Sequence, residues 1–127
     1  MLVNDITGQI VQAAVQVHRT LGGPGLLESV YEEALVWELQ QRGFHVDRQL
    51  TVPITYRGHE LATPLRLDLL ANNLVIVEVK AVLLYNSIFE AQALTYLRLM
   101  NLQVALVINF GERFLKDGIH RVVNGLK

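Results

Sequence analysis

Residues 66–80 restrict the fold more than any other part of the sequence. They read Arg66-Leu-Asp-Leu-Leu-Ala-Asn-Asn-Leu-Val-Ile-Val-Glu-Val-Lys80, an aliphatic run interrupted at Asn72 and Asn73. Such a run predicts two strands of a largely buried sheet, about residues 64–70 and 74–82, turning at the asparagines. Between Leu67 and Phe89 only Asp68, Glu78 and Lys80 carry charge. A carboxylate or ammonium in such surroundings costs several kcal/mol unless something compensates it, so three together need a cause. Two carboxylates converging on a divalent cation, with a lysine beside them, supply one. The pattern points to a metal-dependent phosphodiesterase site.

The chain of 127 residues suffices for a single domain, 1–127, whose core needs no staples. With 51% hydrophobic and 18% charged residues it is not a disordered chain. The absence of cysteine excludes a disulfide framework and a thiolate metal site. No basic leader opens the sequence, and no apolar run nears the roughly 18 residues of a membrane span. A cytoplasmic protein without membrane contact is therefore expected. The formal net charge of −1 argues against the broad basic face of a simple nucleic-acid binder. Only three lysines occur, Lys80, Lys116 and Lys127, and the arginines form no run. Composition alone would not place one of three lysines inside an apolar strand.

Along the chain, Ile6, Ile10, Ala13, Ala14, Val17 and Leu21 recur at helical spacing and predict an amphipathic helix over 4–20. Gly22-Gly-Pro-Gly25 breaks it, and a second helix is predicted from about Leu26 to Arg42, closed by Gly43. Residues 44–62, with Pro53 and the Tyr56-Arg-Gly-His59 turn, suggest an antiparallel hairpin. Ser87-Ile-Phe-Glu90 has the form of a capping box, which starts a third helix over 88–100. Leu102-Gln-Val-Ala-Leu-Val-Ile-Asn109 then reads as a buried strand, set parallel by the intervening helix. Lys116-Asp-Gly118 turns the chain into a short edge strand over 119–123. The order α-α-β-β-β-β-α-β-β describes an α/β fold, a mixed β-sheet flanked by helices.

Glu78 and Lys80, two apart on a strand, share one face, while Val77 and Val79 share the other. Asp68 meets Glu78 only if the antiparallel register sets 68 opposite 78. A two-residue turn at Asn72-Asn73 would oppose Asp68 to Val77 and send the carboxylates to opposite faces. The expectation is therefore a three- or five-residue loop, or a bulge. In that register the pair suits a hard, oxygen-seeking cation, Mg²⁺ or Mn²⁺. Lys80 would orient the attacking water or stabilise the charged transition state. The competing reading makes Glu78 and Lys80 a structural ion pair on a half-exposed face, with Asp68 near a turn.

Supporting groups come from two helices. Gln92 and Tyr96 are i and i+4 on the third helix, directly after the strand of Lys80. Glu28 stands in the first turn of the second helix, with Tyr31 one turn on. Each has a plainer reading: dipole compensation for Glu28, a polar anchor and a core aromatic for Gln92 and Tyr96. His18 reads as a satisfied histidine at the core edge.

Asp68, Glu78-Val-Lys80 and Gln92-Ala-Leu-Thr-Tyr96 together resemble the D…(D/E)XK…QxxxY signature of PD-(D/E)XK nucleases of the RecB and lambda-exonuclease type. Gly25-Leu-Leu-Glu28-Ser-Val-Tyr31 resembles the GxxExxY motif that names a bacterial family in that superfamily. Val17-His-Arg-Thr-Leu-Gly22, Arg66-Leu-Asp-Leu-Leu70 and Leu115-Lys-Asp-Gly-Ile-His-Arg121 are also similar to it, so the resemblance spans nearly the whole chain. It implies a restriction-endonuclease-like core, with Asp68, Glu78 and Glu28 as metal ligands. Lys80 is then the catalytic lysine, Gln92 a further catalytic position, and Tyr96 and Tyr31 auxiliary. Two departures stand out: Phe89 replaces a histidine common in the family, and Leu67 replaces the proline of the superfamily's name.

Two functions compete. One is a Mg²⁺- or Mn²⁺-dependent nuclease acting on nucleic acid, DNA more than RNA. The other is a catalytically silent or partner-dependent nucleic-acid- or protein-binding module on the same fold, which the small size and acidic balance favour. A bare nuclease core gains its substrate channel by homo-oligomerising or by joining a protein partner. The intact Asp68, Glu78 and Lys80 favour the enzyme.

Overall fold

The computed structural model describes residues 2–125. Helix α1 (Val3–Thr20) buries Ile6, Ile10, Ala13, Ala14 and Val17, the stripe read from the sequence, while Leu21 falls at its exposed C-cap. Helix α2 (Glu28–Gln41) ends in a Schellman arrangement: the Phe44 N–H reaches the Leu39 carbonyl at 3.0 Å and the Gly43 N–H the Gln40 carbonyl at 3.0 Å. Gly43 adopts φ 85°, where a side chain would be strained, and buried Phe44 and Leu39 belong to one core cluster beneath the cap.

Strands β1 (Val46–Val52), β2 (Thr55–Tyr56), β3 (His59–Glu60), β4 (Leu65–Ala71), β5 (Val75–Lys80), β6 (Val104–Asn109) and β7 (Ile119–Val123) follow, with helix α3 (Ile88–Met100) between β5 and β6. Five of them form a mixed sheet in the order β1-β4-β5-β6-β7, whose one parallel pair is β5–β6. The hairpin expected over 44–62 is divided. Its first half, β1, pairs with β4, and only β2 and β3 form a ribbon of their own. Pro53 follows β1 directly and has no N–H to carry a ladder onward.

The bounds of α3 match the expectation, but its cap does not. Ser87 already has helical backbone angles and makes no side-chain cap; the Ile88 N–H donates instead to Asn86 Oδ1 at 2.9 Å. Helices α1 and α2 cover one face of the sheet, over Leu69, Val75, Val77 and Val79. Helix α3 covers the other, over Leu70, Ile76, Ala105 and Val107. Burial on both faces is why β5 and β6 read as continuous apolar runs. No helix among the described residues is long and apolar enough to cross a membrane.

At the end of β6, fully buried Asn109 clamps the segment that leaves β5. Its Oδ1 accepts from the N–H groups of Val82 and Gly111, both at 3.0 Å, and its Nδ2 donates to the Val82 carbonyl at 3.1 Å. A Cβ on Gly111 would collide with that same carbonyl, so glycine is the residue that fits there. Truncation of Asn109 leaves three backbone groups without partners. Asn109→Ala is expected to cost about 3 kcal/mol, read as a lower urea midpoint; a loss below about 1 kcal/mol contradicts the clamp.

Candidate active site

The register sets the site. Leu69 pairs with Val77, Leu70 with Ile76 and Ala71 with Val75, which leaves Asn72, Asn73 and Leu74 as a three-residue loop. Asn72 and Asn73 both take left-handed angles, φ 51° and 56°, which asparagine tolerates better than most residues. The Leu74 N–H closes the turn on the Ala71 carbonyl at 3.0 Å, and Leu74 is the extra residue. Continued by one step, this register puts Asp68 opposite Glu78, as the longer loop was expected to do.

At that step the carbonyl ladder gives way to side chains. The Asp68 N–H donates to Glu78 Oε2 at 2.8 Å, and the Val79 N–H donates to Asp68 Oδ2 at 2.8 Å. Each carboxyl group thus accepts a hydrogen bond from a backbone N–H, in place of a ladder carbonyl. One oxygen of each stays outside this backbone bonding. On the other side of β4 the β1 pairing skips a residue: Arg48 opposes Leu69 and Leu50 opposes Leu67, while Gln49 between them lies at φ 52°.

A left-handed non-glycine residue costs about 1 kcal/mol or more and needs its surroundings to hold it. Glu32 does so. Buried to 4% exposure, it accepts from Gln49 Nε2 and from Arg48 Nε, both at 2.8 Å. The strand of Asp68 is therefore freed from regular pairing on both sides at that residue. The sequence reading missed Glu32, Arg48 and Gln49, because nothing in a glutamine flanked by strand residues signals a left-handed backbone.

Glu78 is 5% exposed, and its pKa is pushed up to about 8. Burial is the main cause and the Asp68 carboxylate the second. The Asp68 N–H and Lys80 oppose the rise, and Glu32 adds slightly to it. Half-buried Lys80 extends over Phe89, its Nζ 4.6 Å from the ring centroid, and among the described residues forms no ion pair with Asp68 or Glu78. The structural ion-pair reading of Glu78 and Lys80 therefore lacks its contact. Phe89 meets Tyr85 edge-on at 5.5 Å, and Tyr85 stacks on His120 at 4.0 Å. Burial and then nearby Glu90 raise Tyr85 to about 12, and its buried hydroxyl has no hydrogen-bond partner among the described residues.

The remaining expected residues divide into two groups. Burial first, then the Glu78 and Asp68 carboxylates, raise the pKa of half-buried Tyr96, with nearby Gln92 opposing. Glu28, exposed overall in the first turn of α2, still has its pKa raised by partial burial and then by Asp68, with Lys80 opposing. These groups share one electrostatic field. Tyr31 does not join them. Buried and stacked on Phe110 at 4.8 Å, it donates to the Gly23 carbonyl at 2.7 Å and accepts from the Leu26 N–H at 3.1 Å. It fastens the loop that delivers Glu28. His18 is buried and donates through Nε2 to the Glu112 carbonyl at 2.9 Å.

No three acidic or histidine side chains stand close enough to form a ready-made metal cluster among the described residues. The Asp68–Glu78 pair nonetheless fits a hard divalent cation. It offers carboxylate oxygens only, and the crowding that raises Glu78 is what such a cation relieves. The sequence model described as the PD-(D/E)XK nuclease superfamily matches residues 4–122. No curated protein and no solved structure matches the chain.

Proposed function

The chain belongs to the PD-(D/E)XK nuclease superfamily, and from that premise we propose that it is a Mg²⁺- or Mn²⁺-dependent nuclease of the GxxExxY, RecB- and lambda-exonuclease-like branch, cleaving DNA in preference to RNA. The observation that carries this reading is the Asp68–Glu78 pair, two carboxylates held face to face by each other's strand with Lys80 on the face of Glu78. Asp68 and Glu78 would hold the cation, with Glu28 approaching from α2. When bound, the cation activates water and offsets charge on the scissile phosphate.

The chain's own groups do the rest. Lys80 donates to the phosphoryl oxygens as negative charge builds there. Phe89 holds that ammonium from behind by a cation–π contact. Tyr96, kept protonated by burial and by the carboxylates, is a proton donor on the same helix as Gln92. Asp68 and Glu78 are themselves oriented by the backbone N–H groups they accept.

Removal of the ring behind Lys80 should slow turnover while sparing the fold. Phe89→Leu is expected to lower kcat several-fold and Phe89→Tyr to restore most of it; equal rates in both variants contradict this role.

The test of the function is incubation with supercoiled, linear and single-stranded DNA and with RNA in Mg²⁺ or Mn²⁺. Metal-dependent cleavage, strongest on a DNA substrate, is the expected result. The second reading, a silent or partner-dependent module, is favoured by the formal charge of −1. It is supported if every substrate stays intact although the cation binds. A second copy or a protein partner would then complete the substrate channel.

A further inference from the structure

The chain as a whole is weakly acidic, yet the charged residues that line one concavity are all cationic. A cleft of about 600 Å³ is lined by Arg19, Arg113, Lys116 and His18, with Phe114 and the backbone of Gly22 and Gly23. No carboxylate lines it, and neither Arg19, Arg113 nor Lys116 enters an ion pair among the described residues. Phe114 is 56% exposed, and the Arg113 guanidinium lies 5.3 Å from its ring centroid. Cations without a carboxylate partner beside an exposed aromatic ring are the combination that single-stranded nucleic acid uses, phosphates on the cations and a base on the ring.

This cleft leads towards the site. The loop that supplies Gly22 and Gly23 continues into Pro24 and Gly25. These line a second concavity of about 320 Å³ together with Gly111 and the segment 81–83 that follows Lys80. The same turn supplies Gly111 to one cleft and Arg113 to the other. Both therefore lie along the edge of the sheet where the parallel strands β5 and β6 end, with Lys80 opposite Asn109. Gly22 and Gly23 line the first cleft and Gly25 and Gly111 the second, and glycine lets a second backbone come close.

We propose that these two clefts form one track for a single strand of nucleic acid, which carries a scissile phosphate to Lys80 and its downstream phosphates to Arg19, Arg113 and Lys116. Unpaired bases stack on Phe114 and Arg113, which bases inside a duplex cannot reach. The proposal rests on the nuclease reading above and adds the strand state of the substrate and its path.

The test is binding of a fluorescent single-stranded oligonucleotide, followed by anisotropy against salt in EDTA, where no turnover occurs. Three proteins are compared: wild type, Arg19→Ala/Arg113→Ala/Lys116→Ala, and a control with Arg42→Ala/Arg57→Ala/Arg98→Ala that loses equal charge elsewhere. The expected result is a salt slope lower by about 2 in the first variant and unchanged in the control. Phe114→Ala should weaken binding about tenfold at constant slope. No binding by wild type, equal slopes in both variants, or equal competition by polyglutamate overturns the track, the last in favour of an acidic peptide. Cleavage with an unaffected slope overturns the track alone, whereas a track without cleavage overturns the catalytic reading alone.

Discussion

Lys80→Ala should lose cleavage by at least about 10²–10³-fold, the scale set by removal of one donor from a charge-stabilising site, while keeping the fold. Its ammonium is the one cation that shares a strand face with Glu78, and it touches an aromatic ring and not a carboxylate. Its removal therefore breaks no direct ion pair among the described residues. Melting temperature and circular dichroism should stay close to wild type. The check is initial rates in saturating Mn²⁺ on the best substrate, with the variant purified in parallel. A residual rate within tenfold of wild type would remove Lys80 from the chemistry.

The second large effect runs the opposite way in stability. Glu78→Gln should abolish cleavage yet make the protein more stable at pH 8. The native pKa of Glu78 is raised to about 8 from a reference of 4.5, so the folded chain keeps a proton that the unfolded chain releases. That proton contributes stability below about pH 4.5, and the contribution is lost as pH rises towards 8. Wild type should therefore weaken across this window, where glutamine, which does not titrate but still accepts from the Asp68 N–H, should not. The gap at pH 8 should be roughly 2–4 kcal/mol and should close near pH 4. At pH 8, millimolar Mn²⁺ should raise the wild-type melting temperature and leave Glu78→Gln and Asp68→Ala unmoved. Parallel pH profiles of wild type and Glu78→Gln would refute the buried-carboxylate account.

The sequence disclosed those parts of the site that depend on local pattern. Glu78 and Lys80 on one face follow from the strand period, and the bounds of α3 and β7 follow from turn and helix signals. The opposition of 68 and 78 was legible as a condition on loop length, and Asn72-Asn73-Leu74 meets it. What was not legible depends on contacts distant in sequence. The partner of β1 was misread: the turn signals at Pro53 and Tyr56–His59 pointed to a hairpin within 44–62, whereas β1 pairs with the more distant β4 and only β2 and β3 pair locally. Glu32 meets Gln49 across 17 positions and Asn109 meets Val82 across 27, and no window of local sequence contains either pair. Ser87 and Asn86 are both good capping residues, and only the backbone angles of Ser87 chose between them.

The exchange of ladder carbonyls for carboxylates at residues 68 and 78 also gives the molecule its own spectroscopic gauge. The amide protons of Asp68 and Val79 end on the same two carboxyl groups that would hold a cation. Any ion or phosphate that redistributes charge on those groups shifts two assignable backbone resonances and alters how fast those amides trade with deuterium. Neighbouring amides bonded to carbonyls in β4 and β5 stay still. The state of the carboxylate pair is thus written into the main chain, where it can be followed without a substrate.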